Sequence, residues 1–220
     1  MVKVEYSVKK QDYKNRLQQE EEEKIVHQYL ANEFYSGGTM FTVTNVDEQI
    51  KGNDCFYITD TSGYTIDEKA FVTYINIDIP TVALELSIIN RGDKTQDGWF
   101  INDSNTNNSY VFTNIVSATT LDLRSVEDII ETKTFLITKK AIYDYLASMG
   151  WNKDKLKAKC KRIWDNPNEP LERTNYDAHN KQDYLKFQRI SHVDKQGHVE
   201  KSIILKLRRD KLIKHADIVL

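Results

Sequence analysis

The chain has 220 residues, with 31 Lys and Arg against 33 Asp and Glu, 40% hydrophobic and 29% charged side chains, 8 Gly and 3 Pro. That composition belongs to one or two folded domains and excludes a disordered or collagenous chain. No run nears the ~18 consecutive apolar residues of a membrane helix, and residues 1–5 lack the apolar core of a signal peptide, so a cytoplasmic protein with no membrane partner is expected. Cys55 and Cys160 are too few and too far apart for a disulfide scaffold or a Cys-x-x-Cys ligand pair, and are expected as buried or idle thiols.

In chain order, residues 11–35 predict one long helix, because Leu17, Ile25, Val26, Tyr29, Leu30 and Phe34 recur at three- and four-residue steps until Gly37 and Gly38 stop it. Residues 40–44 and 55–59 are short β-branched and aromatic runs. Asp60-Thr61-Ser62-Gly63 supplies turn chemistry before a third strand over residues 64–74. Residues 81–89 are apolar nearly throughout, as in a strand covered on both faces, with a short buried helix as the alternative. Residues 98–101 and 110–113 predict a hairpin around a polar stretch rich in Asn and Ser. Residues 125–131 and 138–149 predict helices capped by Ser125 and Thr138, the second stopped by Gly150. Residues 153–164 form a basic helix, 165–180 a loop with two of the three prolines, and 184–193 and 202–207 a hairpin closed at Lys195-Gln196-Gly197.

Charge divides this order unevenly. Residues 1–150 carry 14 basic and 23 acidic side chains, net −9, whereas 151–220 carry 17 and 10, net +7. A basic last third suits a polyanionic partner, since cations bind phosphates with release of condensed counterions. An uneven but merely solvated surface is the alternative. Lys157, Lys161 and Arg162 in the basic helix, with Arg208 and Arg209 near the C-terminus, are the expected phosphate contacts, and Trp151 and Trp164 are available for stacking on bases. Gln49 and Lys51 stand beside the acidic motif, where they either touch phosphate or face solvent.

The chemistry concentrates at Gly52-Asn53-Asp54 and Asp67-Glu68-Lys69, either side of the tight turn. In an antiparallel hairpin the two acids come near each other, and Asp67 and Lys69, two apart on one strand, share a face. Paired carboxylates bind Mg²⁺, a hard cation that bridges to phosphate and lowers the pKa of an attacking water. A neighbouring lysine positions or deprotonates that water, or neutralises charge in the transition state. Glu85, an acid in an apolar run, is either a further metal ligand or the partner of a buried cation. His179, His192, His198 and His215 lack zinc spacing, His27 follows the apolar Ile25-Val26 pair and reads as a packing residue, and Gly-rich phosphate loops and Gly-x-Ser-x-Gly elbows are absent.

Over residues 11–90 this pattern resembles the PD-(D/E)xK, or restriction-endonuclease-like, nucleases, in the order of helix and strands, in Gly52-Asn53-Asp54 and in Asp67-Glu68-Lys69. The resemblance implies an α/β fold. Its core would be a helix, an antiparallel three-strand meander carrying the motif on strands two and three, then a helix and further strands; with the charge division, this gives an expected core over residues 1–150 and a basic α+β extension over 151–220 for nucleic acid. It implies Asp54 and Asp67 as Mg²⁺ ligands, with Mn²⁺ as substitute, and Lys69 as the catalytic lysine. A glutamate from the first helix often joins such sites. Glu22 is the expected one, because it shares a face with Ile25, Val26 and Tyr29. The implied activity is metal-dependent hydrolysis of DNA, by an enzyme for which a homodimer is a family habit. The alternative is a non-catalytic module, a phage or mobile-element product, that binds nucleic acid or protein on a diverged nuclease fold.

Overall fold

A computed structural model of the chain describes residues 16–89, 94–166, 168–169, 171, 173–174, 185–193 and 199–220. The first amphipathic period becomes helix α1 (Arg16–Glu33), and Val26, Leu30 and Phe34, spaced by four, are buried beneath it. Residues 11–15 of the expected helix lie outside the described residues. A meander follows: β1 (Thr39–Thr42), the short helix α2 (Val46–Ile50), β2 (Cys55–Ile58) and β3 (Gly63–Ala70). Helix α2 is a feature the sequence reading missed. The Asn45 side chain nucleates it by accepting from the N–H groups of Asp47 and Glu48 at 2.8 and 3.4 Å. The third strand ends at Ala70 instead of Tyr74, where residues 72–74 tighten into one 3₁₀ turn.

The run 81–89 is a strand, β4 (Thr81–Ile89), but in a second sheet, where it pairs with β5 (Thr95–Asp97). The helix that the resemblance implies between the third strand and the next strand of the same sheet is absent among the described residues. That next strand is β6 (Ser109–Ala118), which runs parallel to β3 with Asp67 opposite Tyr110 and Lys69 opposite Phe112. The expected hairpin of residues 98–101 with 110–113 does not form. Residues 99–101 turn, and 110–113 sit centrally in β6, buried on both faces between β3 and the antiparallel β7 (Ile129–Thr138). The helix expected over 125–131 shrinks to a 3₁₀ turn at residues 126–128, closed by a reciprocal Ser125–Asp128 capping box. Ile129, Ile130, Thr132 and Thr134 then favour strand, as β-branched residues do.

Helix α3 (Lys139–Ser148) is capped by Thr138 and α4 (Lys153–Asp165) by Asn152, with Gly150 at φ +82° reversing the chain between them. The remainder comprises β8 (Arg173–Thr174), β9 (Leu185–Val193), β10 (Val199–Arg208), helix α5 (Arg209–Leu212) and β11 (Ile218–Val219). The turn at 195–197, most of the loop at 165–180, and His179 and His198 lie outside the described residues.

The result is a mixed α/β protein of two sheets. The larger has the order β1-β2-β3-β6-β7-β11 and the smaller β5-β4-β10-β9-β8; among the described residues β3–β6 is the parallel pair. Helix α1 seals one face of the larger sheet over Cys55, Tyr57, Ile66 and Val111. The smaller sheet, α3 and α4 share a second core with Tyr110, Phe112 and Phe135 from the other face. The position expected as a boundary, Gly150, is crossed by both sheets: β10 pairs with β4 from Arg208–Thr81 to Lys201–Ile89, and β11 pairs with β7. No helix among the described residues is long and apolar enough to cross a membrane.

The basic third is partly internal. Lys159 is fully buried, 2.9 Å from Glu169. Arg209, 9% exposed, binds Asp78 at 2.6 Å and Asn114 at 2.9 Å, tying the end of β10 to the crossover that leaves β3. Trp151 is buried against Phe187, and the Trp164 indole donates to Ser87 at 2.9 Å, so neither is presented to a base. Arg209→Ala should therefore cost about 2 kcal/mol, the scale of a lost charge-assisted hydrogen bond and the group it leaves unsatisfied, read as a lower midpoint in urea unfolding.

Candidate active site

The β2–β3 turn is held by its own side chains: the Thr59 hydroxyl accepts from the N–H groups of Thr61 and Ser62, and Thr59 N–H donates to the Ser62 carbonyl at 2.9 Å. That turn sets the register Cys55–Ile66, and it brings Asp54, one residue before β2, beside the middle of β3. Asp54 N–H donates to the Ile66 carbonyl at 2.8 Å, and its carboxylate accepts from Glu68 N–H at 2.7 Å. Asp67 and Lys69 project to one face, with Lys69 Nζ 2.5 Å from the Asp67 carboxylate. The three residues expected from the motif thus line one cleft of about 600 Å³.

The cleft walls come from elements far apart in sequence. Glu23 reaches it from α1, Gln49 and Ile50 from α2, Ala83 from β4, and Trp99, Asn102 and Asn105 from the loop before β6. Gly52, at φ +80°, lets the chain turn into Asp54, and a Cβ there would sit 3.2 Å from the Asn105 amide. Asn105 in turn donates to the Trp99 carbonyl at 2.9 Å. Asn53 is buried and donates to Glu48 and Thr106 at 2.9 and 2.8 Å. The polar stretch read as a hairpin loop is this scaffold. The Trp99 ring lies 5.0 Å below Lys69 Nζ, a cation–π contact that fixes the ammonium over the cleft.

Electrostatics make the pair uneasy. Burial pushes the Asp67 carboxyl up, Lys69 pulls it down, Asp54 pushes it up again, and it comes to about 7. For Lys69, burial works to lower its pKa, but Asp67, then Asp54 and Glu23, outweigh it and hold it above the ordinary lysine value, so it stays an ammonium at neutral pH. Among the described residues no three His, Cys, Asp or Glu side chains gather into a metal cage. The donor set is two carboxylates in an open cleft, the kind a hard cation takes when it keeps several waters and shares substrate phosphate.

The remaining expected residues are placed elsewhere. Glu22 is 1% exposed and accepts from Leu123 N–H at 3.2 Å; its apolar face is the one packed into the core. Glu23, about 100° around the helix, is the α1 acid that lines the cleft, and the Glu20–Glu23 run contained it without distinguishing it. Glu85 lies two residues from Ala83 on β4, accepts from the Ser202 hydroxyl at 3.1 Å, and is not among the lining residues. Lys51 pairs with Glu48, Lys157 with Asp97 and Asp103, Arg162 with Glu169, and Arg208 with Asp210, while Lys161 is exposed.

On the opposite face of β3, Glu68 meets His27 Nδ1 at 2.8 Å, the Tyr35 hydroxyl at 2.8 Å and the Cys55 thiol at 3.6 Å, while His27 Nε2 lies 2.8 Å from the Thr42 hydroxyl. The hydrogen bond to Glu68 raises the His27 pKa against the lowering effect of burial, and burial pushes the Tyr35 and Cys55 groups far up. This cluster anchors α1 to the strand whose other face carries Asp67 and Lys69.

Because the folded pKa of Asp67 is raised, the folded state holds its proton more tightly than the unfolded chain between about pH 4 and 7, and wild type loses stability there as pH rises. Asp67→Asn removes that component. The stability difference between the two proteins should shift in favour of the variant by up to about 1.4 kcal/mol per pH unit over that window, read from denaturant melts in chelator.

Compared with known proteins, the chain matches no family model, no curated protein and no solved structure, so the reading of the cleft rests on its own side chains.

Proposed function

We propose that the cleft hydrolyses phosphodiester bonds of nucleic acid, DNA first, in a Mg²⁺-dependent reaction of the PD-(D/E)xK type, with Mn²⁺ as substitute. The observation that carries this reading is the convergence of Asp54, Asp67 and Lys69 in one cleft, from two strands joined by a tight turn. Helix α1, the β1–β2–β3 meander and a parallel β6 beside β3 support the restriction-endonuclease-like core in outline, with the smaller sheet standing where a crossover helix is expected.

Asp54 and Asp67 are the residues that would hold the cation. When bound, it polarises the phosphoryl oxygens and lowers the pKa of an attacking water. Cation binding competes with the proton that Asp67 retains near neutrality. Lys69, kept protonated by its acidic neighbours in the metal-free protein, donates to water or to a non-bridging phosphate oxygen and stabilises charge in the transition state. Glu23 at the cleft wall is placed to orient water. The volume of about 600 Å³ suits a nucleotide-sized group.

A second reading, a non-catalytic binding module, draws on the Asp67–Lys69 ion pair, which offsets charge at the site with no cation. Single-stranded, linear and circular DNA, and RNA, incubated in Mg²⁺, Mn²⁺ and EDTA separate the two. Under the enzymatic reading wild type cuts, EDTA abolishes cutting, and Lys69→Ala and Asp67→Ala lose at least about 100-fold, the scale of removing one transition-state contact. Absence of cutting, with binding equal in Mg²⁺ and EDTA, selects the binding module. Thermal stabilisation of wild type by Mg²⁺ should grow as pH rises from 6 to 8, since the metal and the Asp67 proton compete.

A further inference from the structure

We propose that Lys206 and Lys186 form a phosphate-binding track that carries a nucleic-acid strand away from the carboxylate cleft across the outer face of the smaller sheet. The inference rests on the nuclease reading for its ligand, but on the sheet register for its geometry. Ala83, on β4, lines the cleft. Its register partner on β10 is Lys206, whose partner on β9 is Lys186, whose partner on β8 is Arg173. Directly opposed residues of antiparallel strands present their side chains to the same face, so Ala83, Lys206 and Lys186 stand in a row perpendicular to the strands.

Strands lie about 4.8 Å apart, which sets Lys186 about 10 Å from the cleft wall. That distance spans roughly three nucleotides at the ~3.4 Å rise of one strand. The face is built for a polyanion and against its own stability. Like charges directly opposed across a strand pair are destabilising, and the effect is felt: burial, and then the neighbouring Lys186, lower the Lys206 pKa. Among the described residues neither ammonium has an ion pair. Lys157, Lys159 and Arg162 on α4 and Arg209 on α5 differ in this respect, since they already hold carboxylates. Glu85, the acid on the same side of β4, is two positions from Ala83 and is engaged by Ser202.

The track gives the cleft a direction. A strand seated on Lys206 and Lys186 leads its next phosphate past Ala83 toward Lys69. Arg208, two residues along β10 and opposite Thr81, is paired with Asp210 and flanks the row.

The test measures binding of fluorescent single-stranded DNA and RNA by anisotropy, without divalent cation, across a salt series. It uses wild type, Lys186→Gln/Lys206→Gln, Lys206→Arg, and Lys140→Gln on α3 as an off-track control. Losing two phosphate contacts should lower the slope of log K against log salt by about 1.4 for a single strand. Affinity should fall at least about tenfold at low salt, while Lys206→Arg and Lys140→Gln keep the wild-type slope. The double variant should melt no lower than wild type, because it removes a repulsion. An unchanged slope in the double variant overturns the track, as does capture by anionic lipid vesicles with no binding of either nucleic acid. If wild type cuts nothing yet binds through the two lysines, the track stands and the hydrolytic reading falls. If it cuts while the double variant binds and cuts as wild type does, the track falls alone.

Discussion

Asp67 is a carboxylate at 3% exposure with a second carboxylate, Asp54, close enough to push its pKa upward, and most of the surrounding architecture is arranged around that repulsion. Burying charge without compensation costs several kcal/mol, and here the compensation is partial. Lys69 supplies one ammonium, Glu68 N–H binds Asp54, and Trp99 steadies Lys69 from below. Each of these is itself held in place: Trp99 by Asn105, β3 by β6 alongside, and the far side of β3 by the Glu68 cluster on α1. A hydrophobic trio would fit the same strands at lower cost, since replacing a buried ion pair with apolar groups is often neutral or stabilising. The arrangement is therefore the part of the fold that stability alone does not account for.

The site was more legible than the fold around it. Asp54, Asp67 and Lys69 could be found because a two-strand hairpin is a local object: its turn residues and its period-two alternation sit within seventeen positions. Strands 81–89, 185–193 and 199–208 were legible for similar reasons. What failed was long-range. Residues 98–101 and 110–113 look like strand partners because both are aromatic and flank a polar loop, but Tyr110 and Phe112 are claimed by β3 and β7 on either side. The Asn-rich loop between them is a cleft wall because its Thr106 accepts from the Asn53 amide and donates its N–H to the Lys51 carbonyl, residues about fifty positions earlier, which no window of periodicity contains. Glu23 lost to Glu22 because apolar neighbours mark the face that packs into a core, whereas a cleft residue sits on its flank.

The charge asymmetry also changes meaning once the register is known. A net +7 over residues 151–220 resembles a binding surface, yet much of it is internal bracing. Lys159 lies inside the core, Arg209 ties a crossover to β10, and Lys157 meets Asp97 and Asp103 of the acidic part. Lys153, Lys157 and Arg209 take carboxylates of the acidic part as partners, while Lys159, Arg162 and Arg208 find theirs within the basic part itself. Half-buried cations that repel one another with no carboxylate between them, as Lys186 and Lys206 do, are a sharper indication of an absent polyanion than net charge is.

The pairing of β4 with β10 joins residue 81 to residue 208, and β11 joins residue 218 to residue 136. Contacts of such separation form slowly, because loop closure must be met before the ladder rewards it. During synthesis, Thr-Val-Ala-Leu-Glu-Leu-Ser-Ile-Ile emerges more than a hundred residues ahead of its central partner, with an unpaired apolar edge exposed throughout. The cleft wall at Ala83 belongs to that strand. A growing chain therefore closes the hairpin of Asp54, Asp67 and Lys69 early, but fixes the cleft wall at Ala83 only once residues 201–208 have been made, so a shorter chain does not assemble the complete cleft.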